Sequence, residues 1–239
     1  MRAATLLVAL ALPWQAQATQ PSPLRFLAPL NHALPFADFK GGKLQTGIVK
    51  DISEAIAARM GQRAEFVSVP SRRVAQVLAA GGADGVCYIG RGWVDGEFHW
   101  SPPVFEQVAV LATRADMPPL DNVQALAGEP IGTVYGYRYP PLEPVLGRGF
   151  VRDEAPTMLI NLRKLAAKRT RYAMTEQITL DFHIKLNPKD GLKVALPMGR
   201  FPTYCVFTLA HALPLERLDR AVEELVREGG VEKILARYR

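Results

Sequence analysis

The stretch Ile48-Val49-Lys50-Asp51-Ile52-Ser53-Glu54-Ala55-Ile56-Ala57-Ala58-Arg59-Met60-Gly61, with the forty residues around it, decides the fold. Ile48, Ile52, Ala55, Ile56 and Met60 recur at the spacing of one helix face, and Gly61 stops the run. Ala64-Glu65-Phe66-Val67-Ser68-Val69 follows as a strand, residues 74–80 as a helix closed by Gly81-Gly82, and Gly85-Val86-Cys87-Tyr88-Ile89 as a buried strand. With a short strand over residues 24–28, this is a β-α-β-α-β run. It predicts a mostly parallel sheet with helices packed on it.

Downstream, residues 108–113 form a continuous apolar strand, and Met117-Pro118-Pro119 breaks the chain. A second α/β set then begins. Helices are predicted over 120–127, 141–146, 157–167 and 178–185, and strands over 131–134, 171–175, 191–196 and 204–209. Two closing helices, 215–227 and 231–238, are separated by Gly229-Gly230. Two such sets imply an α/β protein of two lobes. Ligands of open α/β sheets bind beyond the carboxyl ends of the strands, so a cleft between the lobes is the expected site.

The N-terminus reads as an address. Met1-Arg2 is a short positive start, residues 3–13 are an apolar run, and Ala16-Gln17-Ala18 is a small-x-small cleavage pattern. This is the layout of a secretory signal peptide over residues 1–18. The apolar run is too short to span about 30 Å of hydrocarbon, and the expected location is the periplasm. In that compartment Cys87 and Cys205 are either a disulfide or two buried thiols. The 239 residues carry 29 Lys and Arg against 23 Asp and Glu, and a net charge of +6 hints at an anionic partner.

The order of motifs resembles the bacterial extracellular solute-binding proteins of family 3, the polar amino acid class. The residues that carry it are Leu24-Arg25-Phe26, Leu34-Pro35-Phe36, Gly41-Gly42-Lys43-Leu44-Gln45-Thr46-Gly47 and Ser71-Arg72-Arg73. Gly82-Ala83-Asp84-Gly85, Trp100-Ser101-Pro102-Pro103, residues 126–132 and Tyr204-Cys205-Val206-Phe207 complete it. The resemblance implies a periplasmic binding protein-like fold of type II with two hinge strands and the ligand between the lobes. Lobe one would be discontinuous, 19–106 and 203–239, and lobe two would span 107–202. The chain would cross near Glu106 and return near Gly199. The Cys205 strand would lie beside the Cys87 strand.

The resemblance also implies a ligand set. Phe36 falls where the family has a Pro-Phe segment, as a cleft wall or a core ring. Ser71 stands where many members have a stacking aromatic, and one of Arg72 and Arg73 would reach into that space. Tyr88 to Arg91 leaves a lobe-one strand where the family has hydroxyl contacts. The family's carboxylate-binding Arg is missing about five residues on, so Arg91 is the expected anion contact. In lobe two, Gly136-Tyr137-Arg138 matches a turn that opens a helix, whose backbone N–H groups bind anions; Tyr137 and Tyr139 would wall the site. Glu176 matches the acid that pairs with a ligand ammonium, with a helix-start carboxylate as the plain alternative. Trp93 is a further candidate wall, and Trp100 is expected to pack near the hinge.

The four histidines, His32, His99, His183 and His211, show no metal spacing. No Gly-x-Ser-x-Gly elbow, phosphate loop or paired acid and base is present. The basic cluster Lys164, Lys168, Arg169 and Arg171 reads as a solvated helix face rather than a nucleic-acid stripe. The expectation is therefore a monomeric, non-enzymatic solute-binding protein without cofactor or nucleic-acid partner. It would pass a small polar solute, an amino acid or organic acid with an acidic or unusual one favoured, to an inner-membrane ABC permease. An enzyme on the same scaffold, like the cyclohexadienyl dehydratases, and a sensory binding protein are the alternatives.

Overall fold

The computed structural model describes residues 22–239, so the expected signal segment lies outside the described residues. In chain order the strands are β1 (Leu24–Pro29), β2 (Asp38–Lys40), β3 (Lys43–Thr46), β4 (Ala64–Val69), β5 (Gly85–Ile89), β6 (His99–Trp100), β7 (Phe105–Arg114), β8 (Pro130–Val134), β9 (Val151–Ala155), β10 (Tyr172–Glu176) and β11 (Leu192–Phe207). The helices are α1 (Ile48–Arg59), α2 (Val74–Ala79), α3 (Glu143–Leu146), α4 (Met158–Ala166), α5 (Gln177–Leu186), α6 (Leu215–Arg227) and α7 (Gly230–Ala236).

The main sheet runs β4-β1-β5-β11-β7-β10-β8-β9. It consists of two half-sheets that share β11. In the first, β1 pairs in parallel with β4 and β5. In the second, β8 pairs in parallel with β9 and β10. Strand β11 is antiparallel to β7 from Leu192 to Thr203, then antiparallel to β5 from Tyr204 to Phe207. Both parallel blocks thus turn their carboxyl ends toward the pair β7–β11.

Each half has its own core. Helix α1 buries Ile48, Ile52 and Ile56 against Phe26 of β1 and against Leu218, Val222 and Ile234 of the closing helices. In the other half, Ala109 and Leu111 of β7 enter one cluster with Ile131 and Met174, while Val110 and Ala112 enter another with Leu162, Leu165 and Leu180. Successive strand residues point to opposite faces, and helices cover both, which is why this strand is apolar without alternation. Each large side chain so buried contributes roughly 1.5–3 kcal/mol.

Three expectations need correction. Residues 120–127 form no α-helix; only Val123–Leu126 winds, as a 3₁₀ turn capped by Asn122, whose side chain accepts from the Ala125 N–H. Its apolar residues Leu120, Val123 and Leu126 fall every third position, the 3₁₀ repeat, in a segment too short to propagate an α-helix. Residues 191–196 and 204–209 are not two strands but parts of the single β11. Pro197, Gly199 and Pro202 lie within it: from Leu192 to Thr203 this strand is paired on one side alone, by β7, where proline is tolerated, and register shifts absorb the rest. The turn at Gly136 opens no helix, since the next one, α3, begins at Glu143 and is four residues long.

The structure also joins Cys87 to Cys205, which face each other across β5 and β11 and lie 118 residues apart in sequence. The basic cluster is drawn to acids: Lys164 contacts Asp153, Lys168 lies 3.7 Å from Asp116, and Arg171 lies 3.4 Å from Glu129.

Candidate ligand-binding site

A cavity of about 230 Å³ opens where the chain leaves the carboxyl ends of β1, β5, β8 and β10. Its lining includes His32, Ser71, Tyr88 and Trp93 from one side and Tyr137, Thr175 and Glu176 from the other. It lies below the roughly 300–1,000 Å³ of drug-sized sites, a size suited to a solute on the scale of an amino acid.

Tyr88 is its centre. The ring stacks on Phe36, with centroids 3.9 Å apart, and on Phe105 at 6.0 Å. Trp93 and His32 each meet it edge-on at 5.6 Å, and His32 meets Tyr137 of the opposite side at 6.0 Å. Phe36 is buried behind Tyr88 and takes the core role of its two expected ones. Tyr88 holds a φ of 67°, a left-handed conformation rare for a residue with a side chain. Such backbone costs about 1–3 kcal/mol, and it sits beside the disulfide and opposite an irregularity in the β5–β11 register.

Glu176 ends β10 and begins α5, so the strand carries it to the cavity. The Thr179 hydroxyl donates to its carboxylate at 3.1 Å. Burial pushes its pKa up, and burial together with this carboxylate holds the Tyr88 and Tyr137 phenols well above their usual range. Burial lowers His32 to about 4, so near neutral pH the imidazole is uncharged.

Four buried polar atoms of the lining, His32 Nδ1, Ser71 Oγ, Tyr88 Oη and Thr175 Oγ1, make no well-formed hydrogen bond among the described residues, with the Tyr88 hydroxyl near Glu176 and Gln107 and the Ser71 hydroxyl near Tyr137. Folded proteins leave few such atoms, and these converge on one cavity beside the Glu176 carboxylate.

The rim is built in the opposite way. Arg138 donates to both Asp95 carboxylate oxygens, one at 2.8 Å, and to the Gly92 carbonyl at 3.2 Å. Asn31 donates to the Pro156 carbonyl at 2.9 Å, and Arg72 to the Tyr135 hydroxyl at 3.1 Å with its guanidinium over that ring. Gly136 has a φ of 80°, and a Cβ there would come 3.4 Å from the Arg72 backbone and side chain. All these contacts run from the first half to the second, across the mouth of the cavity.

Of the expected cationic contacts, Arg91 and Arg138 belong to the lining and Arg72 does not, and each has other contacts. The Arg91 guanidinium lies 4.0 Å over the Trp100 ring and 4.8 Å from that of Tyr204, two rings outside the lining. Arg72 and Arg138 are tied across the rim. Trp93 lines the cavity, and Trp100 pairs with β11 instead. Tyr139 lines it too, but its hydroxyl accepts the Val134 N–H at 2.6 Å and so props the β8 loop. Sequence reasoning missed His32 and Thr175. Thr175 stands at the end of β10 and His32 in the turn just beyond β1, and that position past parallel strands is the signal that would have found them.

No family model matches the chain, and none of the curated proteins matches it. The fold has many solved counterparts. An ancestral arginine-binding protein bound to arginine is 21% identical, with a TM-score of 0.77 over 92% of this chain and 99% of that one. The arginine-, lysine-, histidine-binding protein ArtJ of Geobacillus stearothermophilus is 18% identical, with a TM-score of 0.73 over 90% and 94%. A histidine kinase sensor domain with similarity to periplasmic binding proteins is 21% identical, with a TM-score of 0.74 over 90% and 95%. At these identities the likeness establishes the architecture: the chain has the periplasmic binding protein-like fold of type II.

Proposed function

We propose that the protein is a periplasmic solute-binding protein that closes two lobes, 19–106 with 203–239 and 107–202, on a small polar solute and delivers it to an inner-membrane ABC permease. The observation that carries this reading is the convergence of Glu176 and four unpartnered buried polar atoms on one cavity of solute size. Buried polar groups without partners cost about 1–3 kcal/mol each, and a solute that hydrogen-bonds them recovers that cost. The contacts across the rim then act as closure contacts, and β7 with β11 as the hinge strands. Solved neighbours that bind amino acids, arginine among them, support the same reading. Within it, Ser71, Tyr88, Tyr137 and Glu176 touch the solute, Phe36 backs Tyr88, and Arg72 and Arg138 hold the lobes together.

The test is a thermal shift screen of the chain from residue 19, with amino acids, organic acids, amines and short peptides. One chemical class raises Tm, and the solute is recovered unchanged by mass spectrometry. A screen in which no compound shifts Tm overturns the reading, and turnover of the bound compound replaces it with an enzymatic one.

A further inference from the structure

We infer that the solute is an organic amine: a cation with an apolar body and no carboxylate. The inference rests on the solute-binding reading and deepens it by naming the substrate class. Three observations carry it.

First, the arginines at and around the cavity already have other contacts, although Arg91 and Arg138 belong to its lining. Arg138 is bound to Asp95 and Gly92, Arg72 to Tyr135, and Arg91 lies over Trp100 and Tyr204. Arg200, also in the lining, lies 3.6 Å from Glu106. The Ser71 backbone N–H donates to Asn31 Oδ1 at 2.9 Å, and the Gly136 turn opens no helix that would aim N–H groups at an anion. The N-terminus of α4 is capped by its own Thr157 hydroxyl, which accepts from Ile160.

Second, Glu176 is the one carboxylate of the lining, and it faces tyrosine rings. An ammonium there gains a charge-assisted hydrogen bond and the attraction of aromatic faces together. The neutral hydroxyls of Tyr88, Thr175 and Ser71 can accept its remaining N–H groups.

Third, the rest of the wall is apolar. Val74, Ile89, Ala109, Met158, Met174 and Met198 offer nothing to a second charged group. Methionine adapts to varied apolar shapes. A carboxylate in this wall would be desolvated without a partner. A hydrocarbon or aromatic body would not.

The test compares each amine with the amino acid and the acid that share its skeleton: phenethylamine with phenylalanine and hydrocinnamate, isoamylamine with leucine and isocaproate, and agmatine with arginine. Thermal shift on the chain from residue 19 is the readout, with the twenty amino acids run alongside. At a hundredfold excess over Kd an amine raises Tm by about 5–10 °C, its amino acid and acid counterparts do not, and Glu176→Gln loses the shift. An amino acid or acid that matches or exceeds its amine overturns the substrate class and leaves the solute-binding reading standing. So does an amine shift that survives in Glu176→Gln, measured beside the comparison on the unaltered chain. If no compound in the whole panel shifts Tm, both readings fall.

Discussion

The floor of the cavity and its rim use the same kinds of side chain to opposite ends. At the rim, polar groups find one another: Arg138 finds Asp95, Arg72 finds Tyr135, and Asn31 finds Pro156. On the floor, Tyr88, Ser71, Thr175 and His32 leave polar atoms without a well-formed hydrogen bond, and Glu176 is held by Thr179 with its pKa raised by burial. The rim is exposed, so its pairs form cheaply and yield easily. The floor is shut in, so each unpaired atom there is a standing cost. The difference separates closing from binding. A surface that satisfies itself can shut without a solute, whereas a floor that cannot satisfy itself requires one.

The sharpest way to break this contrast is Glu176→Gln. With an amine bound, loss of the buried charge partner costs about 2–5 kcal/mol. Without one, the sign reverses. The folded pKa of Glu176 lies above its unfolded value, so the stability tied to its protonated form is complete below about 4.5 and drains away as pH rises through the folded value. Glutamine stays neutral throughout. Urea unfolding of the unliganded proteins is therefore expected to show the variant gaining on the parent as pH rises through that window. A variant that is less stable at neutral pH than at pH 4, relative to the parent, would mean that the floor is already satisfied.

The architecture was largely legible before any coordinates. The helix 48–60, the strands around it and much of the second α/β set are stated by periodicity and glycine stops, because both are local signals. What was hidden depends on residues far apart in sequence. Nothing near Arg138 announces that Asp95, 43 residues earlier, will take its charge. Nothing near Arg91 announces that Trp100 and Tyr204 will cover its guanidinium. The net positive charge hinted at an anionic partner, and the lining holds Arg91, Arg138 and Arg200 beside the one carboxylate of Glu176. Local signals were also overlooked: Lys40-Gly41-Gly42-Lys43 has the two-glycine loop of a hairpin, and β2 and β3 form one there. The left-handed Tyr88 has no sequence signature at all, since its neighbours across the sheet hold it.

His32 sharpens the contrast from the floor's acid side. Its folded pKa of about 4 lies below the ordinary 6.5, so the fold keeps the neutral ring. The associated stability is present above pH 6.5 and is lost as pH falls from 6.5 through 4, by up to about 3 kcal/mol. Glu176 acts in the opposite direction over the lower part of that range, which makes single variants the clean measurement. His32→Gln is expected to lose less stability than the parent between pH 6.5 and 4 in urea titrations. Parallel curves for the two proteins would show that His32 is solvated.

The smallest effect belongs to the rim, and its smallness is the point. Arg138→Ala removes the exposed pair with Asp95 and the bond to Gly92. Exposed pairs are screened by salt and hold little, so solute affinity is expected to fall by about fivefold or less, through faster release. The parent's own affinity should drift toward the variant's as salt rises from low to high, while the variant responds less. Stopped-flow release rates at several salt concentrations check this. The floor's share, a buried charge on Glu176, is shielded from the solvent ions and should barely move under the same titration. If Arg138→Ala instead abolishes binding at every salt concentration, Arg138 contacts the solute itself. The division between a self-satisfied rim and an unsatisfied floor would then be wrong at its best-resolved pair.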